Sequence, residues 1–144
     1  MIKHIDHINI VVTNLEQARH FFLNLGCVVQ REGPLEGQWI EALSGLPEIR
    51  AYYIAMSLPD GKTNIELLHF ESPISERTDA IDRLNQIGIR HIAFQVDDIE
   101  EVTNKLKRKE VRFLSEIKEY PESGKKLCYF SGPDGIILEL AEYK

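Results

Sequence analysis

Two histidines and two glutamates stand at matching places in a chain that is nearly written twice. His7 opens the run His7-Ile8-Asn9-Ile10-Val11-Val12, and His91 opens His91-Ile92-Ala93-Phe94-Gln95-Val96, 84 residues later. Glu66 lies in Ile65-Glu66-Leu67-Leu68 and Glu139 in Leu138-Glu139-Leu140-Ala141, 73 residues later. Each Glu follows a Pro-Asp-Gly turn, at Pro59-Asp60-Gly61 and at Pro133-Asp134-Gly135. Two copies related by a pseudo-twofold axis bring equivalent residues together at that axis. Two imidazoles and two carboxylates meeting there make a divalent metal site, suited to Zn, Ni, Co, Mn or Fe without choosing among them. Such a set leaves one or two positions for water or for a substrate's vicinal oxygens. A carbonyl or thioester chelated there becomes a stronger acid at its α-carbon, because the metal stabilises the charge formed on deprotonation. One proton moves and no electrons leave, so no organic cofactor is expected.

The elements that must position these residues are legible as a repeated plan. Residues 5–12 alternate and are rich in β-branched side chains, which predicts a strand. Asn14 caps a helix over about 15–26 that Gly26 ends. A short strand around Val28-Val29 follows, and then a long loop over 33–49, with three Gly, two Pro and the only Trp, Trp39. Strands near 50–57 and 63–70 flank the Pro59-Asp60-Gly61 turn. Residues 71–87 link the halves, with Pro73 at the start and a helical stretch near 76–87. The second half predicts strand 90–96, helix 98–109 begun by Asp97-Asp98, strand 111–115, loop 116–125, and strands 126–131 and 136–142. The expected fold is α+β: one domain over 1–144, with two βαβββ modules, about 4–71 and 88–144, forming a curved mixed sheet around a central metal site. The drop in offset from 84 to 73 places 11 extra residues in the 33–49 loop. That loop is read as a specificity element, a solvated loop or an arm on a partner subunit.

Alternation tests the site. Side chains on a strand alternate between faces. His7, Asn9 and Val11 oppose the apolar Ile8, Ile10 and Val12, and His91 opposes Ile92, Phe94 and Val96. Glu66 opposes Ile65 and Leu67, and Glu139 opposes Leu138 and Leu140. All four candidate ligands therefore fall opposite the strongest apolar stripe, which the helices should cover through Ala18, Phe21, Phe22 and Leu25, and through Val102 and Leu106. A lone buried His is usually a hydrogen-bonded structural residue, and a lone strand Glu usually faces solvent. Four of them in repeat-related pairs on one face favour metal. His4, His20 and His69 have no repeat partners and are read as structural or solvated. Lys125-Lys126 after Gly124 is read as a solvated basic turn ahead of a carboxylate or phosphate site. Trp39 lines a pocket or packs an interface, and the facing of Arg50, Tyr52 and Tyr129 is open. Glu100-Glu101 and Lys105-Lys107-Arg108-Lys109 form an exposed helix surface, acids first and bases last.

Composition bounds the rest. With 144 residues, 43% hydrophobic and 28% charged, the chain is long enough for a substantial core. A net charge of −6 gives no reason to bind nucleic acid or an anionic membrane. The N-terminus lacks an apolar signal core, no window reaches a membrane span, and two cysteines, Cys27 and Cys128, offer no disulfide framework. A cytoplasmic protein with free thiols is expected.

The modules and the quartet resemble the vicinal oxygen chelate superfamily, which includes glyoxalase I, methylmalonyl-CoA epimerase, extradiol dioxygenases, fosfomycin-modifying enzymes and bleomycin-binding proteins. The resemblance rests on Asp6-His7-Ile8, Asn14-Leu15-Glu16, Ile65-Glu66-Leu67-Leu68, Arg90-His91-Ile92-Ala93-Phe94, Val96-Asp97-Asp98-Ile99-Glu100 and Gly132-Pro133-Asp134-Gly135 with Leu138-Glu139-Leu140. It places His7, Glu66, His91 and Glu139 on the four metal positions and makes Glu139 and Glu66 the bases that shuttle a proton across a substrate. It implies a metal-dependent lyase or isomerase of the glyoxalase I (lactoylglutathione lyase) type, acting on a small molecule as a homodimer. The Arg90–Ile99 run also looks like methylmalonyl-CoA epimerase, whereas Gly132-Pro133-Asp134-Gly135 looks like the glyoxalase and dioxygenase branches. An epimerase, an Fe dioxygenase and a sequestering resistance protein are the alternatives. A dioxygenase would need the position Glu66 takes, and sequestering members generally lack the full quartet.

Overall fold

A computed structural model describes residues 1–59 and 61–144 of the chain, so Asp60 of the expected turn lies outside the described residues. The chain divides into two compact units, Met1–Arg77 and Thr78–Lys144. Each holds a four-stranded mixed sheet, and three α-helices accompany the two sheets among the described residues.

In the first unit β1 (His7–Val11) leads into α1 (Leu15–Asn24). The Asn14 side chain accepts a hydrogen bond from the Gln17 amide at 2.9 Å, which satisfies one of the open donors of the first turn. Ala18 and Phe22, four residues apart, are fully buried beneath the helix. The chain leaves it through Gly26, whose φ of +98° suits a residue without Cβ. Then come β2 (Val28–Glu36), α2 (Gln38–Ser44), β3 (Arg50–Ser57) and β4 (Asn64–Ser72). The strand order is β1-β4-β3-β2, with β1 parallel to β4 and the other pairs antiparallel.

The second unit repeats this order as β5-β8-β7-β6, from β5 (His91–Gln95), α3 (Ile99–Arg108), β6 (Lys118–Glu119), β7 (Lys126–Ser131) and β8 (Ile137–Glu142). β5 runs parallel to β8. Asp98 caps α3 by accepting from the Glu101 amide at 2.8 Å, and Glu142 at the end of β8 accepts from the Ile99 amide at 2.7 Å. Ile99, Thr103 and Leu106 form the buried stripe of α3, while Val102 is half-buried. A single 3-10 turn at Pro133–Gly135 joins β7 to β8.

Three expectations are corrected. The loop over 33–49 is mostly regular structure: β2 runs on to Glu36, and α2 occupies Gln38–Ser44. Gly33 and Pro34 are tolerated because β2 is the edge strand, where a missing N–H leaves no ladder partner unmet. Gly37 and Gly45, at φ +102° and +74°, start and stop α2. The segment 76–87 forms turns rather than a helix, closed by short-range bonds from Arg83 to the Ala80 carbonyl and from Gln86 to the Arg83 carbonyl. Almost all of it is exposed, so no buried apolar face offsets the cost of helix nucleation. The strand over 111–115 contracts to one bridge, Phe113 to Phe130, while Lys118–Glu119 pairs instead from within the expected loop.

Candidate functional site

In each unit the candidate ligands sit on the parallel strand pair. β1 aligns His7 with Asn64 and Asn9 with Glu66; β5 aligns His91 with Ile137 and Ala93 with Glu139. His and Glu thus share a face, two residues out of step on adjacent strands. In the first unit the Asn9 amide donates to Glu66 Oε1 at 3.0 Å, and His7 Nδ1 lies 2.8 Å from Asp6 Oδ2. That hydrogen bond from His7 holds the Asp6 carboxyl below its usual range. In a neutral imidazole it sets the proton on Nδ1 and leaves the lone pair on Nε2, the arrangement that carboxylates give metal-binding histidines.

In the second unit the pair is in direct contact, with His91 Nε2 3.2 Å from Glu139 Oε2. Glu139 is only 5% exposed, between the buried apolar residues Ile137, Leu138, Leu140 and Ala141 of β8. Its other oxygen, Oε1, lies 3.6 Å from the Lys125 ammonium. Lys125 also sits 4.9 Å over the Tyr143 ring. Its pKa is raised, chiefly by hydrogen bonding to Tyr143 and then by the Tyr143 and Glu139 charges. Tyr129 lies across from Glu139 in the β7–β8 register, and its ring meets His91 edge-on at 5.4 Å.

The family model described as the Glyoxalase/Bleomycin resistance protein/Dioxygenase superfamily matches residues 4–140. The chain belongs to that superfamily. YwkD of Bacillus subtilis is 30% identical over 99% of this chain and 98% of its own length. Human mitochondrial methylmalonyl-CoA epimerase is 30% identical over 96% of this chain and 73% of its own length. A glyoxalase family protein from Bacillus cereus superposes with a TM-score of 0.90 at 30% identity, over 99% of this chain and 95% of its own. The α+β fold of two repeated modules, and the glyoxalase-like fold that the resemblance implies, are therefore the fold observed.

The donors of this superfamily member can be tested for a divalent ion. Two donors each ~2.1 Å from one ion, at angles between octahedral and tetrahedral, stand ~3.0–3.4 Å apart. The 3.2 Å separation of His91 Nε2 and Glu139 Oε2 meets that requirement. His7 offers Nε2 as a donor, its Nδ1 being engaged by Asp6. No group of three or more His, Cys, Asp or Glu suited to a metal is found among the described residues, so the donors seen together are the His91–Glu139 pair of the second unit.

The remaining sequence candidates separate cleanly. His69 Nδ1 bonds the Val12 carbonyl at 3.0 Å and ties β4 to the end of β1, a structural role. His4 and His20 are both exposed. Trp39 is 62% exposed on α2. Arg50 is exposed, and the Tyr52 hydroxyl donates to Glu32. Lys126 pairs with Glu100, but Lys125 reaches Glu139, which a solvated turn would not do. Tyr129, Asn9 and Lys125 are the neighbours that pattern reading did not assign. A signal for Tyr129 existed: counting back from the shared Pro-Asp-Gly aligns it with Ala55, the residue across from Glu66.

Proposed function

We propose that this chain is a metal-dependent isomerase or lyase that moves a proton at the carbon beside a chelated carbonyl, with an acyl thioester as its substrate class. The contact that carries the reading is His91 with the buried Glu139 at 3.2 Å. An ionised carboxylate stays in an apolar strand only with compensation, and an imidazole, a Lys and a bound cation together supply it. His7, Glu66, His91 and Glu139 are assigned as ligands. A divalent ion held by them would supply positive charge to the carbonyl oxygen as the adjacent C–H is broken.

The protein's own groups do the rest. Glu139 takes the proton, with Lys125 bracing the oxygen that does not face His91. Glu66, hydrogen-bonded by Asn9 and half-buried, returns it. Tyr129 packs edge-on against His91 and limits the orientations open to that imidazole. The thioester is preferred because the methylmalonyl-CoA epimerases of cattle and humans are similar over 96% of this chain. A thiohemiacetal, the substrate form of the glyoxalase I reading, is the second class to assay.

Elemental analysis of protein purified without chelators is expected to find about one divalent ion per chain, falling in His91→Ala and Glu139→Gln. Exchange of the α-proton of an acyl thioester in D2O, followed by NMR, is expected to drop at least ~100-fold in Glu139→Gln. Wild-type protein that holds no metal and takes none up on titration would sink the proposal.

A further inference from the structure

Sheet register in the second unit extends the site face beyond β7. His91, Ile137 and Ser131 stand in one row across β5, β8 and β7, and Ala93, Glu139 and Tyr129 stand in the next. The segment after α3 continues both rows. The Ser131 amide donates to the Arg112 carbonyl at 2.8 Å, and the Leu114 amide donates to the Tyr129 carbonyl at 2.9 Å. Phe113 pairs with the fully buried Phe130 on the opposite face, so Arg112 and Leu114 share the face of His91 and Glu139. A cavity of about 320 Å³ lies over this region, lined by Arg112, Ser115, Tyr129, Ser131 and Ile137, with Asp82 from the segment before β5. Arg90 fixes that segment by donating to the Ala80 and Arg83 carbonyls, both at 3.1 Å.

Arg112 and Asp82 form no ion pair among the described residues, although both line this cavity. We infer that the cavity is a subsite for a carboxylate carried on the tail of the substrate, gripped by the Arg112 guanidinium beside the Ser131 hydroxyl. Arg112 lies two strands and two residues from Glu139, a Cα separation of roughly 12 Å. Extended side chains of Arg and Glu close about half of that. The carboxylate therefore sits roughly 5–8 Å from the reacting carbon, several bonds away rather than on the same carbon. Asp82 on the same cavity penalises each further negative charge, so a carboxylate is favoured over a dianionic phosphate. The inference rests on the proposed function only for the position of the reacting carbon.

The test compares 2-oxoadipate with 2-oxohexanoate, which matches its chain but lacks the distal carboxylate. Binding is followed by amide NMR shifts of Leu114, Ser131 and Ile137, in metal-free and in zinc-loaded protein. Wild type is expected to bind 2-oxoadipate ten- to hundredfold tighter in both forms. Arg112→Gln should abolish the preference, Arg112→Lys should restore part of it, and the same spectra report that each variant is folded. Equal affinity for the two acids, binding of neither, or a preference that survives Arg112→Gln overturns the inference. Displacement by inorganic phosphate at concentrations as low as those of 2-oxoadipate overturns the assignment to a carboxylate. A chain that takes up no zinc yet prefers 2-oxoadipate through Arg112 would remove the metal proposal and leave this one standing. A chain that holds zinc and ignores the distal carboxylate would do the reverse.

Discussion

Glu66 and Glu139 occupy corresponding places in their sheets yet meet different company. Glu66 accepts from a neutral amide, while Glu139 is shared between an imidazole and an ammonium. Lys125→Met is therefore expected to slow α-proton exchange about tenfold while leaving metal content near one per chain, since it removes a brace and no ligand. That each unit sets one His and one Glu on a shared face was legible because a repeat exposes what two modules hold in common. Tyr129 and Lys125 were not, because each belongs to one module only and their neighbours are set by register and side-chain reach. A second ionic cluster bears on stability. Arg19 on α1 donates to both oxygens of Glu32 on β2, at 2.6 and 2.8 Å. The Glu32 carboxyl is held below its ordinary range, first by the hydrogen bond from Arg19. A depressed folded-state pKa contributes stability that is full above the unfolded value of ~4.3 and is lost as pH falls through the folded value. Urea midpoints of wild type and Glu32→Gln should differ at neutral pH and converge in acid; a constant gap would contradict this. Burial pushes the Cys27 thiol up to about 11, so it should react with a thiol reagent at pH 8 only after unfolding.

At the scale of elements, the start of α1 was readable to the residue and that of α3 to within one. Asn14 and Asp98 are side-chain caps, each bonding the amide three residues on. Replacing either by Ala should cost about 1 kcal/mol in chemical denaturation, and an unchanged midpoint would show that the cap is dispensable. What failed were the places where tertiary context overrides local composition. Gly33 and Pro34 look like loop residues, but at a sheet edge their defects go unpenalised and β2 simply continues. Residues 76–87 have helix-compatible composition but gain no buried face. The Arg112–Leu114 stretch was expected as a strand and is held by a few bonds to β7 instead, which leaves Arg112 at the rim of a cavity.

For the molecule as a whole, the apolar stripes predicted from alternation are the cores of the sheets: Ile10, Ile65 and Leu67 in one unit, Leu138 and Leu140 in the other. Leu140→Ala should destabilise by about 2–5 kcal/mol, read as a lowered urea midpoint. No helix among the described residues is long and apolar enough to cross a membrane. The parallel pairing of β1 with β4 has a kinetic side. Hairpin contacts between β3 and β4 are local, whereas β1 must find a strand that begins 57 residues later. Closing so long a loop is entropically costly, so β1 is expected to dock after the hairpins have formed. His7 and Glu66 become neighbours only at that step, and β5 and β8 impose the same order on His91 and Glu139. A partly folded chain then offers an ion no more than scattered donors. If the proposed ligands hold zinc, loading should slow unfolding while leaving the refolding rate unchanged, because those residues meet late in folding.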